Sequence, residues 1–163
     1  MNLLDLTHIN IYAPYSIWRE GDQYRFKTDY DILYSISFDK EIAFGSVSAY
    51  WFNLANVSNK KSPNDKKIPQ TIICLIEGFF KANPDILLYI CDNANEQQAE
   101  RDRLFLRWFN KYEQKKLYII KSAVVEDEGV DNYISMILQQ SNPLKDTIVE
   151  IFDSQIRMFK EQK

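Results

Sequence analysis

The first third of the chain alternates apolar and polar residues with a period of two, and this pattern limits the fold more than any other feature. Tyr24, Phe26 and Thr28 alternate with polar residues. Because successive side chains of a strand point to opposite faces, this spacing predicts strands with one buried face. Gly21 lies in a turn signal, so residues 15–19 and 23–28 are predicted to form a hairpin. The same reasoning predicts strands at 32–38 and 47–55.

The rest of the chain mixes helix and strand signals. Apolar spacings of three and four residues predict helices at about 69–83, 95–112 and 143–160. Apolar runs and a Gly-containing turn predict strands at 86–91, 117–125 and 130–139. This order indicates an α+β fold, a single domain over 1–163 with a mixed, mostly antiparallel sheet of about seven strands and three helices. The first 14 residues lack both patterns, and we expect them to be flexible.

Composition excludes several kinds of functional site. The glycines stand apart at positions 21, 45, 78 and 129, so no glycine-rich phosphate loop can be formed. His8 is the only histidine, which excludes a zinc site built on two or three imidazoles; we expect no metal. The net charge of -3 implies no general attraction to nucleic acid. Because the chain has neither a secretory signal nor an apolar run of ~20 residues, we expect a cytoplasmic protein without a membrane helix.

Asp92, Asn93 and Asn95 form the first candidate ligand site, at the corner after the predicted strand 86–91. Where a strand end meets the start of a helix, unpaired N–H groups favour anions, and ligands often bind there. Asp and Asn are also the ordinary residues for turns and helix caps. The corner therefore has a structural interpretation beside the functional one, and the structural one is the simpler.

Four lysines in the loop before the first predicted helix form the second candidate site: Lys60, Lys61, Lys66 and Lys67. Their ammonium groups could hold a phosphate as point charges. The loop has no glycine, however, so its backbone cannot easily form the close cradle of a phosphate loop. A solvated basic loop is the simpler interpretation.

Other chemistry-bearing residues have plain structural interpretations. Asp29 and Asp31 could act as an acid–base pair, but they lie in a predicted solvated turn. Tyr24 and Phe26 could stack on RNA bases, but strand alternation places the basic residues between them on the opposite face. We therefore predict that these aromatic side chains belong to the core and that nucleic acid is not a partner.

Two stretches resemble a family of small bacterial proteins known only as a domain of unknown function. They are Trp18-Arg19-Glu20-Gly21-Asp22-Gln23-Tyr24-Arg25-Phe26, and Leu87-Leu88-Tyr89-Ile90-Cys91-Asp92 with Arg101-Asp102-Arg103-Leu104-Phe105-Leu106-Arg107-Trp108-Phe109. The resemblance implies a match over nearly the whole chain. It implies no catalytic residue.

The order of elements is also similar to the second half of the GCN5-related N-acetyltransferase fold. In that family, the loop entering the first of these helices binds the pyrophosphate of acetyl-CoA through an Arg/Gln-x-x-Gly-x-Gly/Ala sequence. Here the corresponding stretch, 60–67, lacks this motif, and the nearest counterpart of the family's general-acid tyrosine is Phe105. The likeness implies an acetyltransferase-like topology more than the activity.

Two functional hypotheses follow. The first is a non-catalytic binding or interaction module with a small-molecule or protein partner and no cofactor. The alternative is a divergent N-acyltransferase that uses acyl-CoA, with the four lysines replacing the glycine-rich cradle and Asp92, Asn93 and Asn95 near the acceptor. Which residues would be catalytic is unknown from the sequence.

Overall fold

The computed structural model describes residues 1–42, 44–92, 107 and 116–162, and for 91 and 92 the backbone only. In chain order its elements are α1 (Leu6–Tyr12), β1 (Trp18–Glu20), β2 (Gln23–Lys27), β3 (Leu33–Glu41), β4 (Ala49–Asn56), α2 (Lys67–Ala82), β5 (Ile86–Asp92), β6 (Tyr118–Asp127), β7 (Val130–Gln139) and α3 (Lys145–Glu161). The predicted α+β class with a seven-stranded mixed sheet is confirmed, and the described residues contain three helices, of which α2 and α3 are at predicted positions. The predicted helix 95–112 lies outside the described residues except at 107.

The seven strands follow the order β1-β2-β3-β4-β5-β7-β6. The pairs β1–β2, β2–β3, β5–β7 and β6–β7 are antiparallel. The chain divides into two compact units. Unit 1 contains 1–39 and 51–84, and unit 2 contains 40–50 and 85–163. The first two residues of β4 belong to unit 2 and the rest of the strand to unit 1.

In unit 1, the predicted β1–β2 hairpin turns at Gly21, whose φ of 64° suits a residue without a Cβ. Strand alternation buries Tyr24 and Phe26, which are 2% and 0% exposed. The ring of Phe26 stacks on those of Tyr15 and Tyr34. The prediction that Tyr24 and Phe26 belong to the core is confirmed.

Helix α1 lies in the amino-terminal segment, where the sequence predicted no element. Asp5 caps it by accepting a hydrogen bond from the backbone N–H of His8. Ile9 is buried against α2 at Gly78, where any Cβ would clash with the Ile9 side chain. Two turns of helix are marginal on their own. Contact with α2 therefore stabilises α1, which local sequence does not reveal.

In unit 2, β6 and β7 form the second predicted hairpin, with Glu128 and Gly129 at positive φ in its turn. The hydroxyls of Ser122 and Ser135 lie 2.8 Å apart across the pair. Helix α3 packs on β6 and β7, and its Ile148 side chain is fully buried. Across the described ranges, no helix has the length and apolar character needed to cross a membrane.

Candidate functional site

The four lysines of the predicted basic loop have different environments. Lys67 begins α2, and its Nζ lies 2.9 Å from Asp29 Oδ2. Lys60 Nζ lies 4.0 Å from Asp31 Oδ2, while the side chains of Lys61 and Lys66 are exposed to solvent. The structure therefore brings two of the four to the same turn, where aspartates already partner them.

Lys27 completes a small ionic network that we call the Lys–Asp cluster: Lys27, Asp29, Asp31, Lys60 and Lys67. Lys27 Nζ lies 2.7 Å from Asp31 Oδ1. This contact lowers the pKa of Asp31, and the hydrogen bond to Asp29 raises the pKa of Lys67. Three lysines against two aspartates leave the cluster one net positive charge, and each lysine already contacts an aspartate, so it offers an anionic ligand only modest attraction.

Asp65 occupies the start of α2, where a phosphate would have to bind. Its carboxylate accepts hydrogen bonds from the Lys67 backbone N–H at 3.0 Å and from the Tyr15 hydroxyl at 2.5 Å. Helix starts bind anions because their N–H groups have no intrahelical acceptors. Here the protein's own carboxylate fills that position, and a phosphate would have to displace it.

Tyr15 is the buried member of this region. Its hydroxyl also accepts a hydrogen bond from the Asp29 backbone N–H at 3.3 Å, and its own backbone N–H donates to Thr71 Oγ1. Burial, followed by the hydrogen bond to Asp65, raises the pKa of Tyr15. The phenol therefore keeps its proton at neutral pH and acts as a fixed hydrogen-bond donor, not as a base.

The predicted corner site lies mostly beyond the described residues. Asp92 ends β5, where its backbone is in register with Asn132 of β7. Asn93 and Asn95 lie outside the described ranges. Their proposed role near a ligand stays a prediction.

A groove between α3 and β6 in unit 2 offers another candidate site, with a volume of about 710 Å³. We call it the α3–β6 groove. Its lining residues are Lys121, Ser122 and Ala123 from β6 and Glu150, Phe152, Asp153, Ser154, Ile156 and Arg157 from α3. The spacing of Glu150, Asp153 and Arg157, which share one flank of the helix, is the one feature of this site visible in the sequence.

Charge is distributed unevenly along this groove. Lys121 Nζ lies 3.9 Å from Asp153 Oδ1, and both side chains are about half exposed. Glu150 and Arg157 are exposed, and within the described ranges neither has an ion-pair partner. The groove therefore presents an unpaired negative charge at one position and an unpaired positive charge at another, which suits the binding of charged groups.

Cys74 and His8 are not placed as an activated nucleophile and base. Burial raises the pKa of the Cys74 thiol, which disfavours the nucleophilic thiolate. His8 Nε2 lies 2.9 Å from Lys81 Nζ on the surface. No three His, Cys, Asp or Glu residues among those described are grouped so as to hold a metal ion.

Comparison with known proteins gives a family and no activity. A family model described as a family of unknown function (DUF6169) matches residues 64–154, more than half of the chain. The second stretch that carries the resemblance, 87–92 with 101–109, lies entirely within this match, whereas residues 18–26 lie outside it. No curated protein matches the chain.

Proposed function

The chain belongs to a family of unknown function, and we propose from its own residues that it is a non-catalytic binding module whose ligand occupies the α3–β6 groove. One observation carries the proposal: Glu150 and Arg157 line the same groove with opposite charges, and neither is paired within the described ranges. Unpaired charges in a concave site are available to a ligand without first breaking an internal ion pair.

The size and lining of the groove support a small ligand. A volume of about 710 Å³ lies within the range of ~300–1,000 Å³ that is usual for small-molecule sites. Half-buried Ile156 supplies apolar surface, whereas Phe152 is only 3% exposed and belongs to the core beneath the groove. Ser154 offers a hydroxyl without a partner in the described part of the chain. A few polar groups around an apolar surface can fix the orientation of a ligand.

The same groove supports binding better than catalysis. Its carboxylates, those of Glu150 and Asp153, are exposed to water, whereas acid–base catalysts are usually adjusted by burial or by a close charge. The Ser122 hydroxyl is engaged by the Ser135 hydroxyl at 2.8 Å, not by a general base. The groove thus holds charged groups in place without an activated nucleophile.

Acyl-CoA-dependent N-acyltransfer is the competing hypothesis, and the Lys–Asp cluster gives it little support. Lys60 and Lys67 already face aspartates, and Asp65 fills the start of α2.

We place the module in the cytoplasm, as the composition suggests, with a small molecule or a protein as partner and without nucleic acid.

A thermal-shift screen of charged small molecules, with coenzyme A and acetyl-CoA included, tests the proposal. A ligand at 100 times its Kd should stabilise the wild-type protein by ~2.7 kcal/mol, which corresponds to a rise in Tm of roughly 5–10 °C. The double variant Glu150→Gln, Arg157→Gln should reduce this rise by up to about two thirds, because two exposed ion pairs together contribute up to ~2 kcal/mol. The matched variant Lys160→Gln, Glu161→Gln changes the same kinds of charge on α3 outside the groove and should retain it.

Two results would overturn the proposal. One is a ligand whose stabilisation survives the groove variant but is lost in Lys60→Gln, Lys67→Gln. The other is measurable acetyl transfer from acetyl-CoA to an amine acceptor by the wild-type protein.

A further inference from the structure

The two unpaired charges of the α3–β6 groove have a defined separation. Glu150 and Arg157 are two helical turns apart on α3, and a rise of 1.5 Å per residue places their backbones roughly 10 Å apart along the axis. Asp153 and Lys121, which lie between them, offset each other because their charged atoms are 3.9 Å apart. The groove therefore has one net charge of each sign, on two residues whose backbones lie roughly 10 Å apart along the helix axis.

We infer that the ligand of the α3–β6 groove is a short extended peptide of about three residues with free termini. This inference rests on the function proposed above. An extended chain spans ~3.3–3.6 Å per residue, so three residues place an amino terminus and a carboxylate about 10 Å apart. This length matches the separation of Glu150 and Arg157 along α3.

The groove also fits what lies between the two termini. Ser154 stands between Glu150 and Arg157 on the helix, and its hydroxyl can both donate to and accept from a peptide bond. Apolar surface from half-buried Ile156 is available to small side chains of the peptide. A simple ion of either sign would use only one end of this arrangement.

Charge fixes the direction of the peptide. Its amino terminus lies at Glu150 and its carboxylate at Arg157, because the reverse orientation would bring like charges together. Exposed ion pairs contribute modestly, ~0.2–1 kcal/mol each. Removing one end should therefore weaken binding up to about fivefold, and removing both ends should have the larger effect.

Titration calorimetry with trialanine as the probe tests the inference on the full-length protein. We expect N-acetylated trialanine and trialanine amide each to bind about two- to fivefold more weakly than the free peptide. Arg157→Gln should weaken binding of free trialanine by a similar factor and leave binding of the amide unchanged. Glu150→Gln should weaken binding of free trialanine by a similar factor and leave binding of N-acetylated trialanine unchanged. Lys160→Gln, on the same helix outside the groove, should change none of these affinities.

The outcomes separate this inference from the proposed function. Equal binding of the free and capped peptides, or equal loss of both in Arg157→Gln, would overturn the peptide inference. A compound from the thermal-shift screen that binds in the groove when trialanine does not would also overturn the peptide inference. The proposed function would then stand. If nothing binds in the groove, both fail.

Discussion

Tyr15→Phe removes one buried hydroxyl and tests the account of the region around the start of α2. The Tyr15 side chain is 6% exposed, and its hydroxyl donates to Asp65 Oδ2 and accepts from the Asp29 backbone N–H. A hydrogen bond to a charged group contributes ~1.5–3 kcal/mol. Asp65 is half-buried and can regain water, so we expect a loss near the lower limit, about 1.5 kcal/mol.

Urea unfolding and calorimetry at pH 7 measure this loss. For a chain of this length, about 1.5 kcal/mol should lower Tm by roughly 3–6 °C. Tyr12→Phe is the matched control, because the Tyr12 side chain is 69% exposed and should change stability by less than about 0.5 kcal/mol. If Tyr15→Phe costs no more than Tyr12→Phe, the hydroxyl does not hold this region together.

The same pair predicts a pH dependence. Burial and Asp65 raise the pKa of Tyr15 in the folded state, so the folded protein holds this proton more tightly than the unfolded chain does. The stabilisation that the Tyr15 hydroxyl gives the folded state is therefore fully present below the ordinary tyrosine pKa of about 10. It is lost as pH rises through the higher pKa of Tyr15 in the folded state. The difference in unfolding free energy between wild type and Tyr15→Phe should narrow above about pH 10. A constant difference would contradict the assignment.

Two further substitutions test other contacts. Gly78→Ala should destabilise the protein by about 1–3 kcal/mol in urea unfolding, because the new methyl group overlaps the Ile9 side chain. Ile9→Ala also removes buried contacts, so the double variant should lose less stability than the sum of the two single losses, and additive losses would refute the contact. Asp31→Asn should make the free energy of unfolding less sensitive to acid. Lys27 lowers the pKa of Asp31, so the stabilisation by the ionised carboxylate of Asp31 is lost as pH falls through that lowered pKa. At 1 M salt, which screens exposed pairs, Asp31→Asn should no longer change the acid sensitivity of the unfolding free energy. A change that persists in salt would point to another cause.

The elements that could be predicted from the sequence are those with a strong local signal. Gly21 and Gly129 mark both hairpins because each lies in a tight turn at positive φ. Helix α1 escaped prediction because its stability depends on the contact between Ile9 and Gly78, which are far apart in the chain. Local patterns report on neighbours in sequence and carry no information about such contacts.

The candidate sites likewise combine features that local sequence predicts with contacts between distant residues that it does not predict. The basic loop was visible from composition, but its partners, Asp29 and Asp31, come from a distant turn. The α3–β6 groove was missed because charged residues such as Glu150 and Arg157 look like any solvated helix face until β6 lies opposite them. Charge type was predictable from the sequence, and charge pairing was not.

The division of the chain into two units affects the order in which the protein can fold during synthesis. Unit 1 is complete once residue 84 has left the ribosome, whereas residues 40–50 of unit 2 must wait for residues 85–163. Recombinant fragments face the same constraint. A fragment cut at the borders of the family match, 64–154, would contain neither unit whole and would end inside α3 before Arg157. Trimming the chain to its recognisable part would thus remove one end of the groove that we propose binds the ligand.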